Sequence, residues 1–278
     1  MDDYSAWVGR SETREDVATA APLAGLAALL DHDAPPWAPN IVAPLGHWLY
    51  FLPDARQSAI GEDGHPRRDG RGLLPPVPLP RRMWAGSRIA FLAPMPVGAV
   101  LSRVTTIEAV KPKRGASGDL LFVTLRHAIS ANGVPAIREE QDIVFREAAG
   151  TAAVPAPMPA APAAPDPADA IRSIVPDAAL LFRYSALTFN AHRIHYDRDY
   201  ARDVEGYAGL VVHGPLLATL LMDHALRSGF TPSRFAFRAE APLIDGAPFD
   251  LCLARDGDGA RLWARDGTGR VTMRANLS

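Results

Sequence analysis

From Ala148 to Ala170 the chain runs AAGTAAVPAPMPAAPAAPDPADA, and nothing else in it restricts the fold as strongly. Each proline removes a backbone donor and fixes φ, so such a stretch favours extended polyproline conformations and cannot contribute a packed element. It acts as a linker, 148–170, between an N-terminal unit, 1–147, and a C-terminal unit, 171–278.

The two units share a pattern. In the first, the apolar spacing of Leu23, Leu26, Ala27 and Leu30 predicts a helix over Arg14–Leu30, with Asp16 near its positive end. The aromatic run Gly46–Leu52 predicts a short strand, and Pro53–Arg82 is a long loop rich in Gly, Pro and charge. Strands follow at Arg88–Leu92, Leu101–Val110, Leu120–Ile129 and Ile137–Phe145, the last two joined through Asn132-Gly133. In the second unit, Leu180–Leu187 is a strand or short helix, and Thr188–Asp197 is a loop. A long helix falls within Tyr200–Arg227, and strands close the chain at Arg234–Ala239, Phe249–Ala254, Ala260–Ala264 and Val271–Asn276. Ser87-Arg88 leads to Ala93-Pro94 and Gly98, as Ser233-Arg234 leads to Ala241-Pro242 and Gly246. The pattern predicts two copies of one α+β fold, each a long helix wrapped by a curved antiparallel sheet.

Composition excludes several functions. A net charge of −2 supplies no field for a polyanion, so no nucleic-acid partner is expected. No run of about 18 apolar residues predicts a membrane span, and the N-terminus is too polar for a secretory signal. The single cysteine, Cys252, excludes an internal disulfide and fits a reducing cytoplasm. It falls in a strand and is most simply core. No glycine-rich nucleotide loop is present, and no cofactor is expected.

Polar side chains are densest in Tyr184–Asp197, where Asn190, His192, His195 and Asp197 stand close together. Downstream, VVHGPL places Gly214-Pro215 inside an apolar run. Proline suits the first helical positions, so backbone N–H groups near Gly214 are left free to meet a developing negative charge. His192, His195 and Asp197 are also metal-ligand types, but no further distant ligand stands out and no metal is expected. Asp197 suits the cap of the following helix.

SALTFNAHRIHYD resembles the hydratase motif of the MaoC-like hotdog superfamily, and VHGPL resembles the start of that family's central helix. GHWLYFLP and RRMWAGSRIAFLAPMPVG are similar to the branch holding mesaconyl-C4-CoA and itaconyl-CoA hydratases and mitochondrial-type 3-hydroxyacyl-thioester dehydratases. The resemblance implies a double hotdog whose N-terminal copy is degenerate, a pseudo-dimer within one chain that leaves room for a further homodimer. It implies a hydro-lyase acting on an acyl-CoA or acyl-carrier-protein thioester, with a C4–C5 dicarboxylic acyl group in view. His195 matches the catalytic histidine, and Gly214 the residue whose N–H polarises the thioester oxygen. Asn190 stands where the superfamily has Asp, His192 where it has Asn, and Arg193 where it has Pro.

An amide cannot take a proton, so these residues imply a one-base, syn mechanism: His195 moves the proton and Asn190 holds the water. Arg193, His192 and His213 are candidates for substrate contact, Arg193 through a free carboxylate of the acyl group. Arg67, Arg68, Arg81, Arg82, Lys111, Lys113 and Arg114 could meet coenzyme A phosphates. Two alternatives share the frame: a hotdog thioesterase, for which Glu205 and Asp223 are the nearby acids, and a non-catalytic acyl-thioester-binding protein.

Overall fold

The structure is a computed structural model and describes residues 4–70, 72–115, 118–147 and 167–278. Most of the linker therefore lies outside the described residues. Its last residue, Ala170, already opens a strand.

Ten strands form one antiparallel sheet. The N-terminal unit supplies β1 (Ser11–Val17), β2 (Arg81–Phe91), β3 (Val100–Gly115), β4 (Gly118–Ala131) and β5 (Val134–Arg146). The C-terminal unit supplies β6 (Ala170–Ile174), β7 (Arg234–Ala239), β8 (Phe249–Asp256), β9 (Gly259–Arg265) and β10 (Val271–Leu277). Their order, β1-β3-β4-β5-β2-β7-β10-β9-β8-β6, reads alike from either end. The units meet where β2 pairs antiparallel with β7, Ser87 opposite Phe237 and Ile89 opposite Phe235. Among the described residues are three α-helices, α1 (Ala20–Leu29), α2 (Ala178–Thr188) and α3 (Gly214–Arg227); α3 packs on β2, β8, β9 and β10, and α1 and α2 pack against each other. Ten consecutive residues of α3, Leu216–Ala225, are buried, as suits a helix wrapped by a sheet. The architecture is an α+β double hotdog, and Cys252 lies in its core as expected.

The repeat seen in the sequence has a structural meaning. After β2 and after β7 the chain makes the same turn, with Gly98 at φ 91° and Gly246 at φ 88°, a left-handed conformation that glycine adopts without strain. The Asn132-Gly133 turn holds both residues at positive φ, 49° and 80°, as a two-residue hairpin requires.

Three expectations are corrected. The helix predicted over Arg14–Leu30 is a strand and a shorter helix. Arg14 and Asp16 belong to β1, and the Asp16 carboxylate accepts the N–H groups of Val17 and Phe51. Gly46–Leu49 is a turn of 3-10 helix rather than a strand. Its aromatic content serves packing, since Trp48 meets Trp84 and Phe237 edge-on. The long helix within Tyr200–Arg227 is broken: a π turn at Tyr200–Val204 gives way to irregular chain until α3 starts at Gly214. Gly206 at φ 74° ends the first turn, and the Asp245 carboxylate captures the N–H of Leu210.

The core depends on α3. Leu221 has no solvent exposure. Leu221→Ala should lower stability by about 2–5 kcal/mol, the usual cost of a buried leucine truncation, and chemical denaturation would check it.

Candidate active site

A cavity of about 2470 Å³ runs between the two units and is lined by both. The break before α3 builds one wall of it. Val211 N–H donates to the carbonyl of Ile194 at 2.9 Å, and His195 Nδ1 donates to the carbonyl of Val211 at 2.7 Å. A carbonyl only accepts, so Nδ1 carries the proton and Nε2 is the free nitrogen of a side chain that lines the cavity. His213 stacks on His195 with ring centroids 3.6 Å apart, and its Nε2 bonds the Ser185 hydroxyl at 2.8 Å.

Gly214 follows as the first residue of α3 and lines the same cavity. Its N–H finds no acceptor among the described residues and stands at the positive end of the helix dipole. Pro215, next in the helix, has no N–H to satisfy.

The remaining expected residues divide. Asn190 lines the cavity, but its Oδ1 is used by the N–H of His192 at 3.0 Å, which shapes the loop and leaves the amide NH2 as its free end. His192 lines the cavity beside His195, centroids 5.3 Å apart. Two candidates are corrected. Arg193 does not line the cavity: its guanidinium pairs with Asp197, donates to the carbonyl of Glu62 and lies over the Tyr200 ring. His213 is fully buried behind His195, so it can orient that ring but not touch substrate. Asp197 caps the next turn as expected, accepting Tyr200 N–H at 3.0 Å. Arg67, Arg68, Arg81 and Arg82 line the cavity, whereas Lys111, Lys113 and Arg114 are exposed on β3, away from it.

Sequence reasoning missed a second wall, which comes from the N-terminal unit. Asp63, Gly64 and His65 turn tightly against the motif loop. His65 Nδ1 meets Asp63 Oδ2 at 3.0 Å, its N–H meets Oδ1 at 2.9 Å, and Arg193 N–H donates to the Asp63 carbonyl at 2.9 Å. A Cβ at Gly64 would lie 1.8 Å from the carbonyl oxygen of Ala191, so only glycine permits this approach. The His65 ring comes within 4.1 Å of His192, completing a row His65, His192, His195, His213. An Asp two positions before a His in a long Gly-rich loop was the available signal. Deeper in, buried Glu139 accepts from His47, Trp48 and Ser87.

Electrostatics fix the protonation of this row. Burial lowers His195 to about 4 and His65 to about 4, in the latter case reinforced by the charge of Arg82 and opposed by Asp63. Burial, with His65 and His195 beside it, lowers His192 to about 2. Burial works against ionisation of Asp63, yet its bonds to His65 hold it at about 2. Near neutrality the site therefore holds base-form imidazoles beside an ionised carboxylate. The metal set weighed from sequence is not assembled, because Asp197 is bound to Arg193. Asp63, His65 and His192 do bring ligand-type atoms within 4.8 Å of one another. Arg82 is close enough to depress both histidines and would repel a cation there.

With this geometry in hand, relatives can be compared. A family model for hydroxyacyl-thioester dehydratase type 2 matches residues 45–245. The chain belongs to that family. It is a hydro-lyase of acyl thioesters. It is 48% identical to the mesaconyl-C(4)-CoA hydratase of Chloroflexus aurantiacus over 99% of this chain and 97% of the relative. Against the type 2 mitochondrial dehydratase of Schizosaccharomyces pombe it is 39% identical, over 32% of this chain and 30% of the relative. Among solved structures, Mycobacterium tuberculosis HtdX superposes with a TM-score of 0.68 at 19% identity, over 96% of this chain and 99% of that one. A second M. tuberculosis protein, described as a double hotdog, gives a TM-score of 0.54 at 14% identity, over 97% of this chain and 95% of that one. Both support the fold.

Two outcomes follow. Gly64→Ala should push the Asp63–His65 turn off the motif loop and lower kcat/KM by roughly 100-fold, the scale expected of an ångström-level misplacement; steady-state kinetics beside a melting curve would show it. The buried histidines titrate below the ordinary imidazole value of about 6.5. Between about pH 6.5 and pH 4 the unfolded chain therefore binds more protons than the folded one, and stability falls as pH drops through that window. Tm measured from pH 7.5 to 5 should decline; a flat or rising Tm would mean that an imidazole of this row is charged in the fold.

Proposed function

We propose that this chain reversibly hydrates the coenzyme A monothioester of an unsaturated C4–C5 dicarboxylic acid such as mesaconate, with His195 as its proton-transfer base. The observation that carries the assignment is the His195 imidazole, fixed through Nδ1 by Val211 and presenting Nε2 to the cavity beside the start of α3. The substrate class rests on the extent of the likeness to the Chloroflexus hydratase, which runs through nearly all of both chains.

The steps use groups already placed. His195 Nε2 takes a proton from water as the water oxygen bonds to the β-carbon of the enoyl thioester. The π electrons move towards the thioester oxygen, where the Gly214 N–H meets the developing charge; one such donor is worth about 3 kcal/mol of barrier. The imidazolium then gives its proton to the α-carbon on the same face. Asn190 holds the water through its amide NH2. His213, braced by Ser185, holds the ring of His195, and His192 fills the wall beside it. Dehydration is the reverse.

The thioesterase alternative finds little support. Glu205 is paired with Arg81, and Asp223 lies away from the cavity in a buried cluster with His32, Arg172 and Arg227. No helix of the described residues is long and apolar enough to cross a membrane. Together with the buried, unpaired Cys252 this supports a cytoplasmic setting. The two units already form a pseudo-dimer, and we expect any homodimer to pair such chains. The unit boundaries at 147 and 171 belong to the same proposal.

Hydration removes the enoyl-thioester absorbance without freeing thiol. With mesaconyl-C4-CoA, wild type should show that loss, and His195→Ala should slow it by about 100- to 10,000-fold. Thiol release matching the absorbance loss would instead establish hydrolysis. Because the base form of His195 persists down to about pH 4, the acid limb of kcat/KM should lie near pH 4–5, well below an ordinary histidine.

A further inference from the structure

The cavity wall sets two arginines, Arg68 and Arg82, against one carboxylate, Asp63. Arg82 of β2 lines the wall beside His65 and His192, and its guanidinium makes no ion pair or hydrogen bond among the described residues. Its neighbours contrast with it. Arg81 is bound to Glu205 through both side chain and carbonyl, and Arg193 to Asp197. Arg68 lines the same wall: one end of its guanidinium donates to the carbonyls of Leu79 and Pro80, while Nη1 is buried without a partner. The nearby carboxylate is Asp63, whose oxygens are already engaged by the ring and N–H of His65. With the histidines neutral, Arg68 and Arg82 against Asp63 leave this wall one positive charge in excess. A partly buried guanidinium whose nearby carboxylate is already engaged is costly, and burial lowers Arg82 to about 10 despite the charge of Asp63. An anion delivered with the substrate would relieve that cost.

We infer that Arg82, with Arg68 beside it, seats the free carboxylate of a dicarboxylic acyl thioester. This rests on the reading under Proposed function and assigns to Arg82 the contact that the sequence suggested for Arg193. The chemistry fits the place. A mono-thioester of a C4–C5 unsaturated diacid carries its second carboxylate within a few bonds of the carbon that water attacks, so the carboxylate must lie beside the proton-transfer histidines. Arg82 stands there, and its planar fork matches a carboxylate in a bidentate pair. The phosphates of coenzyme A are the other source of an anion.

Binding separates the sources without needing turnover. Succinyl-CoA and butyryl-CoA share the carrier and chain length and differ in the terminal carboxylate. Calorimetric titration of wild type should show succinyl-CoA binding about 10- to 100-fold tighter, the scale of a charge-assisted hydrogen-bonded pair. In Arg82→Gln that ratio should collapse to within about 3-fold, with Arg82→Lys, which keeps the charge but not the fork, between the two. Butyryl-CoA binding by each variant reports that it is folded. A wild-type ratio near one overturns the inference. So does an unchanged ratio in Arg82→Gln with both ligands equally weakened, which would place a phosphate on this arginine. Failure to hydrate mesaconyl-C4-CoA alongside a high succinyl-CoA ratio would instead sink the catalytic reading and leave the carboxylate seat standing.

Discussion

The pairing of β2 with β7 is the constraint from which the rest of the molecule follows. It joins two five-stranded halves into one sheet through backbone hydrogen bonds from Gly86 to Ala90, and it sets the faces of the two units side by side. Gly86 is needed there, since a Cβ would lie 2.3 Å from the Phe237 carbonyl oxygen. Because the seam runs beside the cavity, each unit can supply one wall. The C-terminal unit gives His195 and the start of α3, and the N-terminal unit gives the Asp63–His65 turn and Arg82. A site divided in this way depends on the seam as much as on its own residues.

Duplication then explains an asymmetry. In a duplicated fold the two halves need not both keep a long central helix. The C-terminal unit keeps the 14-residue α3, while α1 has 10 residues and is followed by irregular chain that reaches the cavity. That chain has little regular backbone pairing of its own. It is held by local devices, such as the Asx turn of Asp63 onto His65 N–H and the contact of Gly64 with Ala191. Positioned by a rigid sheet, such a loop can carry function.

Legibility in the sequence followed the range of the interactions. Along β7 burial alternates, and Arg234–Ala239 was bounded to the residue. The Gly98 and Gly246 turns and the Asn132-Gly133 hairpin were visible because their chemistry is local. His195 and Gly214 stood out as a compact motif, and family likeness supplied their roles. Asp16 was misplaced into a helix because its partner, the N–H of Phe51, belongs to another segment. Gly46–Leu49 misled because its aromatics pack against Trp84 and Phe237, a tertiary reason rather than a propensity. Arg193 was misjudged because a charge beside a catalytic motif looks like a ligand contact until Asp197 is seen to hold it. Asp63 and His65 escaped because their neighbour, the Asn190–His195 loop, lies on the far side of the linker.

Charge, finally, is distributed so that the imidazoles of the row stay in the base form. A lone imidazole set among carboxylates would be protonated near neutrality and unable to accept a proton. Here burial and mutual proximity hold His195, His192 and His65 in the neutral form, while the carboxylates close enough to matter are committed elsewhere, Asp63 to His65 and Glu139 to His47, Trp48 and Ser87. Arg82 contributes twice: it lowers the two histidines nearest it, and it leaves the wall short of one negative charge. His195 lies outside that influence: its basicity is set by burial, by its bond to the Val211 carbonyl and by His65.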